Sequence, residues 1–311
     1  MARYLMVSTA RALLTIIAVT ILVFSLARLT GSPLDALTDE EMTPRQREAV
    51  AEKWGLNRPL PEQYLTFMAN AIRGDFGVSF KFESQGATGV ILERFPRTLQ
   101  LGAFGLILTV LVGIPMGVLS AVRRGSWLDR IARTIALLGQ SVPEFWLGIV
   151  LIWVFAVVLG WLPTTGRSGP ESLILPGITL AVFGIAALLR LLRSSMLDTL
   201  GAEYIKLARA KGLSEARIVW KHALKNAAIG PLTYFGRIIV HLLVGATVIE
   251  VVFSWPGLGL LAYEAANARD FPVMQALALI GCVAVVGMNL VIDVLYGAVD
   301  PRVRLGQKST R

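Results

Sequence analysis

Long apolar segments alternate with shorter polar stretches along most of the chain. They lie near residues 9–28, 99–122, 131–160, 174–192, 229–252 and 273–297. A helix needs about 20 mostly apolar residues to cross the roughly 30 Å of hydrocarbon in a bilayer. The pattern therefore predicts an all-α polytopic membrane protein with six transmembrane helices. Pro115 and Pro143 fall inside two of these segments and predict helix kinks.

The first apolar segment follows Arg3 and Arg11, as the core of a signal peptide would. It is too long for such a core, and no small-x-small cleavage site follows Ala27-Arg28. We therefore expect an uncleaved span.

The composition supports a membrane protein and argues against a soluble enzyme. The 311 residues are 55% hydrophobic and 16% charged, whereas soluble domains carry about 25% charged residues. The net charge of +9 could indicate a nucleic-acid partner, but in a membrane protein it is typical of basic cytoplasmic loops. No nucleic-acid partner is predicted.

The distribution of Lys and Arg among the short loops predicts the topology. The stretches 123–133, 190–228 and 300–311 are basic, whereas 161–173 and 253–272 contain one basic residue each. Because basic loops stay on the cytoplasmic side, both termini are predicted to be cytoplasmic.

Four regions follow from this topology. They are an N-terminal tip and first span (1–29), an extracytoplasmic helical lobe (30–94), five further helices (95–297) and a cytoplasmic tail (298–311). In the lobe, one helix is expected from Pro44 to a stop at Gly55 and another from Pro61 to a stop at Gly74. On the second helix, Tyr64, Leu65, Met68 and Ile72 share a face suited to the membrane surface or the outer mouth. Trp127, Trp161 and Trp255, close to span ends, predict an interfacial aromatic belt.

Motifs for catalysis or cofactor binding are missing from the sequence. It has no P-loop, H-E-x-x-H or G-x-S-x-G pattern, and one cysteine, Cys282, with two histidines gives no metal-ligand spacing. Residues 257–262 match G-x-G-x-x-A, but at the outer end of a span a tight glycine turn is the better interpretation. We predict no catalytic residue, metal site or cofactor on this chain.

The loop 203–228 predicts a helix, a break and a second helix. Gly212 is a natural helix stop and Ser214 can cap the next helix, whose Ile218, His222 and Lys225 would share one side. Two acidic residues stand against six basic ones: Lys206, Arg209, Lys211, Arg217, Lys221 and Lys225. This cationic helical hairpin suits docking into a groove of a soluble partner. The alternative is an ordinary basic loop held by anionic membrane lipid.

This loop resembles the coupling loop of ATP-binding-cassette (ABC) importer permeases, in the form found in dipeptide, oligopeptide and nickel systems. It matches Y-x-x-x-A-R-A-K-G-L followed by H-A-L-K-N-A, and it lacks the late Leu-Pro of the general importer loop. Similar matches extend over residues 60 to 304. They include Gly74–Ser79, Arg94–Leu99, Ser141–Trp146, Leu162-Pro163, Arg190–Ser195, Phe253–Gly259, Arg269–Pro272 and Asp300-Pro301-Arg302. Gly31-Ser32-Pro33 stands where the family usually has Gly-Asp-Pro, and the layout is similar to a B-type permease.

The resemblance implies a non-catalytic subunit of an importer in a prokaryotic inner membrane. Its partners would be a second, C-type permease chain, two subunits that bind ATP and Mg²⁺, and an extracytoplasmic substrate-binding protein. The coupling residues would be Glu203, Tyr204, Ala208, Arg209, Ala210, Lys211, Gly212 and His222.

Charged or ionisable residues inside the spans need either a partner or water, because each costs about 2.5–3.5 kcal/mol on insertion scales. Arg237 and His241 are four residues apart and share a helix face. The candidates for lining a pathway are Glu144, Arg237, His241 and Glu250, with Asp293 near a span end. Interhelical pairing or snorkelling is the alternative role.

The predicted function is the translocation pathway of an ATP-driven importer for peptides or related small solutes. Nickel or nickel-chelate import is the alternative within this class, because the separate binding protein can select the substrate. A self-contained secondary transporter or channel would need inverted repeats and a broken-helix ion site, and a membrane enzyme would need a catalytic constellation. Neither pattern is evident.

Overall fold

The protein is described here from a computed structural model, which covers residues 2–29, 34, 38, 42–53, 55–82 and 85–299, with the side chains of 2–8, 27, 53, 233, 243 and 290–299 left undescribed. Gly31-Ser32-Pro33, the Asp293 side chain and residues 300–311 therefore lie outside the description. The described residues contain helices and one isolated bridge, between Val78 and Gly86, but no strand. The predicted all-α class is confirmed.

Helices account for most of the described chain. In chain order they are α1 (Ala2–Leu29), α2 (Pro44–Lys53), α3 (Leu60–Ile72), α4 (Ala87–Val122), α5 (Trp127–Ser141), α6 (Glu144–Leu151), α7 (Ile174–Leu200), α8 (Glu203–Ala210), α9 (Glu215–Arg217), α10 (Leu224–Ala227), α11 (Ile229–Val252), α12 (Leu258–Asn267) and α13 (Phe271–Val299). A π-helix continues α6 over Ile152–Val158, a 3₁₀ turn precedes α7 at Pro170–Leu173, and a second π-helix joins α9 to α10 at Ile218–Ala223.

The described chain contains four helical segments that are long and apolar enough to cross a membrane. The number rises to six if each of two bent pairs of helices forms one span. The four lie within Thr9–Leu26, Ala87–Val122, Pro170–Leu200 and Phe271–Asn289. The prediction for 229–252 coincides with α11. Helix α4 begins at Ala87, well before the predicted start at residue 99, and continues through Pro115 without a break.

The predicted span 131–160 is two helices that meet at an angle of 110°. Helix α5 ends at Ser141, Val142 is extended (φ −85°, ψ 127°), and Pro143 precedes α6. A proline disfavours helical backbone at the residue before it and donates no backbone hydrogen bond, so Val142-Pro143 breaks the helix. The prediction of one kinked span is corrected to two helices with an extended junction.

The chain divides into two compact units, Met1–Pro96 with Leu258–Arg311, and Arg97–Gly257. In the first, α1 packs along α13. The lobe helix α3 contacts α1 through a hydrogen bond of 2.9 Å between Tyr64 Oη and Thr20 Oγ1 and another of 2.7 Å from Arg28 to Gln63. Leu65 and Ile72 remain exposed, and the contact of their face with the membrane surface or the outer mouth stays a prediction. The regional divisions predicted at 29, 94 and 297 stay predictions.

The lobe helices begin and end close to their predicted positions. Thr43 and Gln46 form a capping box before α2, with Gln46 Oε1 accepting from Thr43 N at 2.8 Å. Gly55 and Gly74 have φ of +65° and +76°, a left-handed backbone that favours glycine after a helix. Both predicted stops are confirmed.

Helix α7 forms the centre of the second unit, and about half of its residues are buried. Helices α5, α6 and α11 pack around it. The main apolar cluster joins α7 and α11 to α4 and to the turn after α11: Leu101, Leu175, Leu180, Leu188, Ile238, Leu242, Ala246, Ile249, Phe253 and Trp255. Trp255 is 1% exposed and donates its Nε1–H to Arg97 O at 3.0 Å. The predicted interfacial role of Trp255 is therefore wrong, because this ring is a core residue, whereas Trp127 and Trp161 are exposed.

Gly139 allows α5 to approach α7 closely. A Cβ at this position would lie 2.8 Å from Ala186 Cβ and 3.0 Å from Val182 Cγ1. We expect Gly139→Ala to lower the midpoint of thermal unfolding in detergent, although Ala is favoured over Gly by about 1 kcal/mol in an open helix. Gly102→Ala is the control, because a Cβ there meets nothing within 4 Å and should leave the midpoint unchanged or raise it. Equal midpoints for the two variants would contradict the close packing.

Candidate functional site

The loop 203–228 has the predicted helix–glycine–helix form. Helix α7 ends at Leu200, and α8 begins two residues after Gly201. Gly212 has φ +76°, and its N–H donates to Arg209 O at 2.9 Å while Leu213 N donates to Ala208 O at 3.3 Å. These bonds satisfy carbonyls at the end of α8. Ser214 has the extended backbone of a capping residue but makes no side-chain cap hydrogen bond, so the predicted cap is limited to its backbone.

Buried apolar side chains attach the loop to the ends of α4 and α7. Ile205 and Ile218 are fully buried, and they pack with Val118 of α4 and with Leu192 and Met196 of α7. A fully buried Ile side chain contributes about 1.5–3 kcal/mol relative to an exposed one. The loop is therefore part of the packed unit.

The predicted one-sided face of Ile218, His222 and Lys225 is wrong. Residues 218–223 form a π-helix, which has more residues per turn than an α-helix. The residues after it therefore face other directions than α-helical spacing predicts. The buried positions are Ile218, Val219, Ala223 and Ala227, whereas Lys225 is exposed and His222 is half-buried.

Polar and apolar groups share the exposed side of the loop. Tyr204 and Leu207 are about half exposed at 45% and 57%, and Glu203, Arg209, Ala210 and Lys211 are exposed. Ala208 is half-buried. This surface carries most of the residues that the resemblance assigns to coupling, and their role stays a prediction.

An ion pair links the two helices of the loop across Gly212. Arg209 donates to the carboxylate of Glu215 at 2.7 and 3.3 Å. This hydrogen bond lowers the pKa of the Glu215 carboxyl below its ordinary value and raises the pKa of Arg209. Both groups of this pair are therefore charged at neutral pH. A second ion pair within α8 joins Glu203 to Lys206 at 2.6 Å.

Glu144 and His241 lie together within the second unit. Glu144 is the first residue of α6 after the break, and His241 lies near the middle of the 24-residue helix α11. Glu144 Oε1 and His241 Nε2 are 2.6 Å apart, and both side chains are half-buried. Phe183 of α7 lies against the imidazole at 3.9 Å between ring centroids. A Cβ at Gly245 would lie 3.1 Å from Glu144 Oε2, so the glycine leaves room beside the carboxylate.

The other candidate pathway residues are in different surroundings. Arg237, one turn before His241, is exposed and its guanidinium lies 6.0 Å from the Tyr234 ring centroid. Glu250 is fully buried and accepts a hydrogen bond of 2.6 Å from Thr98. Glu250 is therefore engaged inside the subunit, as in the interhelical-pairing alternative.

A second buried carboxylate, Asp129, was missed from the sequence. It is 1% exposed and accepts hydrogen bonds from Ser120, Gly125 N and both arms of Arg193. The signal for its position was Ser126-x-x-Asp129, a helix-start pattern. Its partner on α7 could not be read from local spacing. In the first unit, the buried Asp270 similarly accepts from Ser79 Oγ at 2.5 Å and from Lys81 N at 3.2 Å.

The G-x-G-x-x-A match begins at Gly257, in the turn after α11. Within the described residues the element before it is helix α11 and not a strand, and Gly257 N donates to Trp255 O at 2.7 Å. The predicted glycine turn is therefore confirmed. Within the described part of the chain, no three His, Cys, Asp or Glu side chains are grouped so that they could hold a metal ion.

Comparison with solved structures shows the fold. The inward-facing MetNI methionine ABC transporter matches 68% of this chain and 96% of its own at a TM-score of 0.57 and 21% identity. An amino acid ABC transporter crystallised with histidines matches at a TM-score of 0.53 and 16% identity.

Comparison with known sequences shows the family. The oligopeptide transport system permease protein AppB of Bacillus subtilis is 39% identical over 97% of this chain and 99% of its own length. The glutathione transport system permease protein GsiC of Escherichia coli strain K12 is 40% identical over 93% and 95%. Residues 113–305 match the family of binding-protein-dependent transport system inner membrane components. The chain belongs to this family and is a membrane permease subunit of an ABC importer.

Proposed function

We propose that this chain forms one half of the translocation pathway for peptides or related small solutes in a prokaryotic inner membrane. A second, C-type permease would complete the pathway, and an extracytoplasmic binding protein would deliver the substrate. Two partner subunits would bind ATP and Mg²⁺ and hydrolyse the ATP, with no catalytic residue contributed by this chain. The peptide-related names of relatives that align over nearly the whole chain support this substrate class.

The coupling role rests on the two-sided construction of helix α8. Its Ile205 is buried against the ends of the long helices, whereas Tyr204 and Leu207 are exposed. An apolar pair surrounded by charges is suited to a protein groove. Force applied to this surface would pass directly into α7 and α4, because the buried side of the loop is packed onto them. Closure of the ATP-binding subunits would then change the tilt of these helices.

Glu144 and His241 are the best-supported candidates for contact with substrate. Both are half-buried, and the pair lies beside a helix break and a glycine. A charged substrate group needs polar partners inside the membrane. The carboxylate of this pair favours a cationic substrate group such as a peptide ammonium.

We expect Glu144→Gln to lower the initial uptake rate about tenfold at saturating binding protein. Glutamine keeps an oxygen that can accept from His241, but it removes a charge-assisted contact that is worth about 1.5–3 kcal/mol. Uptake of radiolabelled peptide into proteoliposomes measures this effect. Glu48→Gln, on the exposed face of the lobe, is the control. An unchanged rate in Glu144→Gln would leave the pair with a purely structural role.

Two alternatives remain testable with the same preparation. Nickel or nickel-chelate import would use the same construction with a different binding protein. A self-contained transporter would leave the exposed surface of α8 without a partner.

The deciding experiment is purification of the chain from its native membrane in mild detergent, followed by reconstitution with the proteins that accompany it. We expect a second permease and P-loop ATPases in the preparation, and peptide uptake that requires both ATP and the binding protein. A chain that is recovered alone and moves solute without ATP would overturn the proposal.

A further inference from the structure

The carboxylate of Asp129 joins three parts of the second unit. Asp129 lies in the first turn of α5. Its partners are Ser120 near the end of α4, at 2.7 Å, the backbone N–H of Gly125 in the intervening turn, at 2.9 Å, and Arg193 of α7. The start of α5 is therefore held against two other helices by one side chain.

Arg193 makes the strongest of these contacts. Its Nε donates to Asp129 Oδ1 at 2.7 Å and its Nη2 donates to Oδ2 at 3.1 Å. Two parallel bonds from a planar guanidinium fix orientation as well as distance. Arg133 also approaches the carboxylate, at 3.7 Å, but that side chain is more than half exposed.

The same helix carries Arg193 and leads into the coupling loop. From Arg193, α7 continues without interruption to Leu200, and α8 begins at Glu203. Leu192 and Met196, on either side of Arg193 in sequence, belong to the apolar cluster that buries Ile205 of α8. The end of α7 that leads into the coupling loop, here called the root of the loop, is therefore adjacent to the ion pair on the same helix.

Helix α5 is also packed along α7 beyond the ion pair. Ala132 and Ala136 of α5 are buried with Leu189 of α7. Near the end of α5, Gly139 faces Ala186 and Val182. These small residues bring the two helices together over almost the whole length of α5.

The extended junction Val142-Pro143 ends this packed pair. Val142 N donates back to Leu138 O of α5 at 2.9 Å, and Pro143 O accepts from Leu147 N of α6 at 3.1 Å. Each junction residue is thus bonded to its own helix, and Pro143 has no N–H that could bond across the break, so a change of angle is easiest there. Glu144, directly after the junction, contacts His241 of α11. Any swing of α5 relative to α6 thus arises next to the candidate substrate contact.

We infer that Asp129 and Arg193 are positioning residues for transport, which bind α5 to the root of the coupling loop so that both move together and the junction 142–143 acts as the hinge. This inference rests on the proposed coupling function. It adds a route from the loop 203–228, through the ion pair and α5, to the Glu144–His241 pair.

The test uses the complete transporter in proteoliposomes and measures peptide uptake and ATP hydrolysis on the same sample. Asp129→Asn keeps the shape of the side chain but removes its charge. We expect uptake to fall at least tenfold per reconstituted complex while ATP hydrolysis stays within twofold, so the ATP consumed per peptide rises. Arg193→Lys keeps the positive charge without the two-armed geometry and should show a smaller change in the same direction.

Arg130→Gln is the matched control, because Arg130 is an exposed neighbour of Asp129 and its loss should not alter the ratio. A ratio of ATP to peptide in Asp129→Asn and Arg193→Lys equal to that of the unmodified chain would overturn the inference. Any lower yield of complex is corrected by the per-complex measurement. An unmodified preparation that lacks ATP-driven uptake would instead refute the proposed function, so the two failures are distinguishable.

Discussion

Substitution of Gly212 by proline is expected to reduce uptake more than a hundredfold while leaving delivery by the binding protein intact. Gly212 has φ +76°, whereas proline requires φ near −65°. Proline also removes the N–H that donates to Arg209 O. Backbone strain of about 1–3 kcal/mol and a lost hydrogen bond of about 1 kcal/mol act together at the end of α8. The two helices of the loop would separate, and the coupling surface would lose its shape.

Gly212→Asn provides the control for this variant. Asparagine tolerates left-handed backbone better than other residues with a side chain, and a Cβ at this position meets nothing within 4 Å. We expect Gly212→Asn to keep most of the uptake. Uptake in proteoliposomes and pull-down of the partner subunits measure both variants. Normal uptake in Gly212→Pro would refute the coupling assignment.

The second large effect is expected for Glu250→Ala, which should destabilise the protein. Glu250 is fully buried and accepts from Thr98 at 2.6 Å. Its removal leaves the Thr98 hydroxyl without that acceptor and opens a cavity, with a combined cost of about 3–5 kcal/mol. The thermal midpoint in detergent should fall by roughly 10 °C, at about 2–4 °C per kcal/mol for a unit of this size.

Glu48→Ala, at an exposed position on α2, should leave the midpoint unchanged. If Glu250 instead lined the pathway, Glu250→Ala would keep the thermal midpoint of the unmodified protein and would show impaired uptake. Such an outcome would contradict the structural role of the buried carboxylate.

Local sequence signals predicted the helices and the loop well. The prediction of 229–252 coincides with α11 because the segment is apolar without an internal proline after Pro231. Gly55, Gly74 and Gly212 all have positive φ, and each ends a helix as predicted. Such stops depend on one residue and its neighbours, so they can be read from the chain.

Features that depend on distant neighbours were predicted poorly. Hydropathy averaged over 131–160 conceals the break at Val142-Pro143, because both halves remain apolar overall. Asp129 and Arg193 are 64 positions apart, so no local pattern links them. Trp255 is a residue type common at membrane interfaces and stands close to a predicted span end. Only the packing around its ring shows that it belongs to the core.

In the assembled importer, the exposed face of α8 is expected to contact an ATP-hydrolysing subunit. Cys282 is the only cysteine in the sequence, so Cys282→Ser gives a background in which one new thiol can be introduced. In that background, Leu207→Cys places the thiol on the exposed face, and Ser168→Cys places one in an exposed loop on the predicted opposite side of the membrane. Crosslinking of the assembled complex, followed by mass spectrometry, identifies the neighbour of each thiol. We expect Leu207→Cys to link to a P-loop ATPase and Ser168→Cys not to. Absence of an ATPase link from Leu207→Cys in an active complex would show that the exposed face of α8 is not the coupling surface.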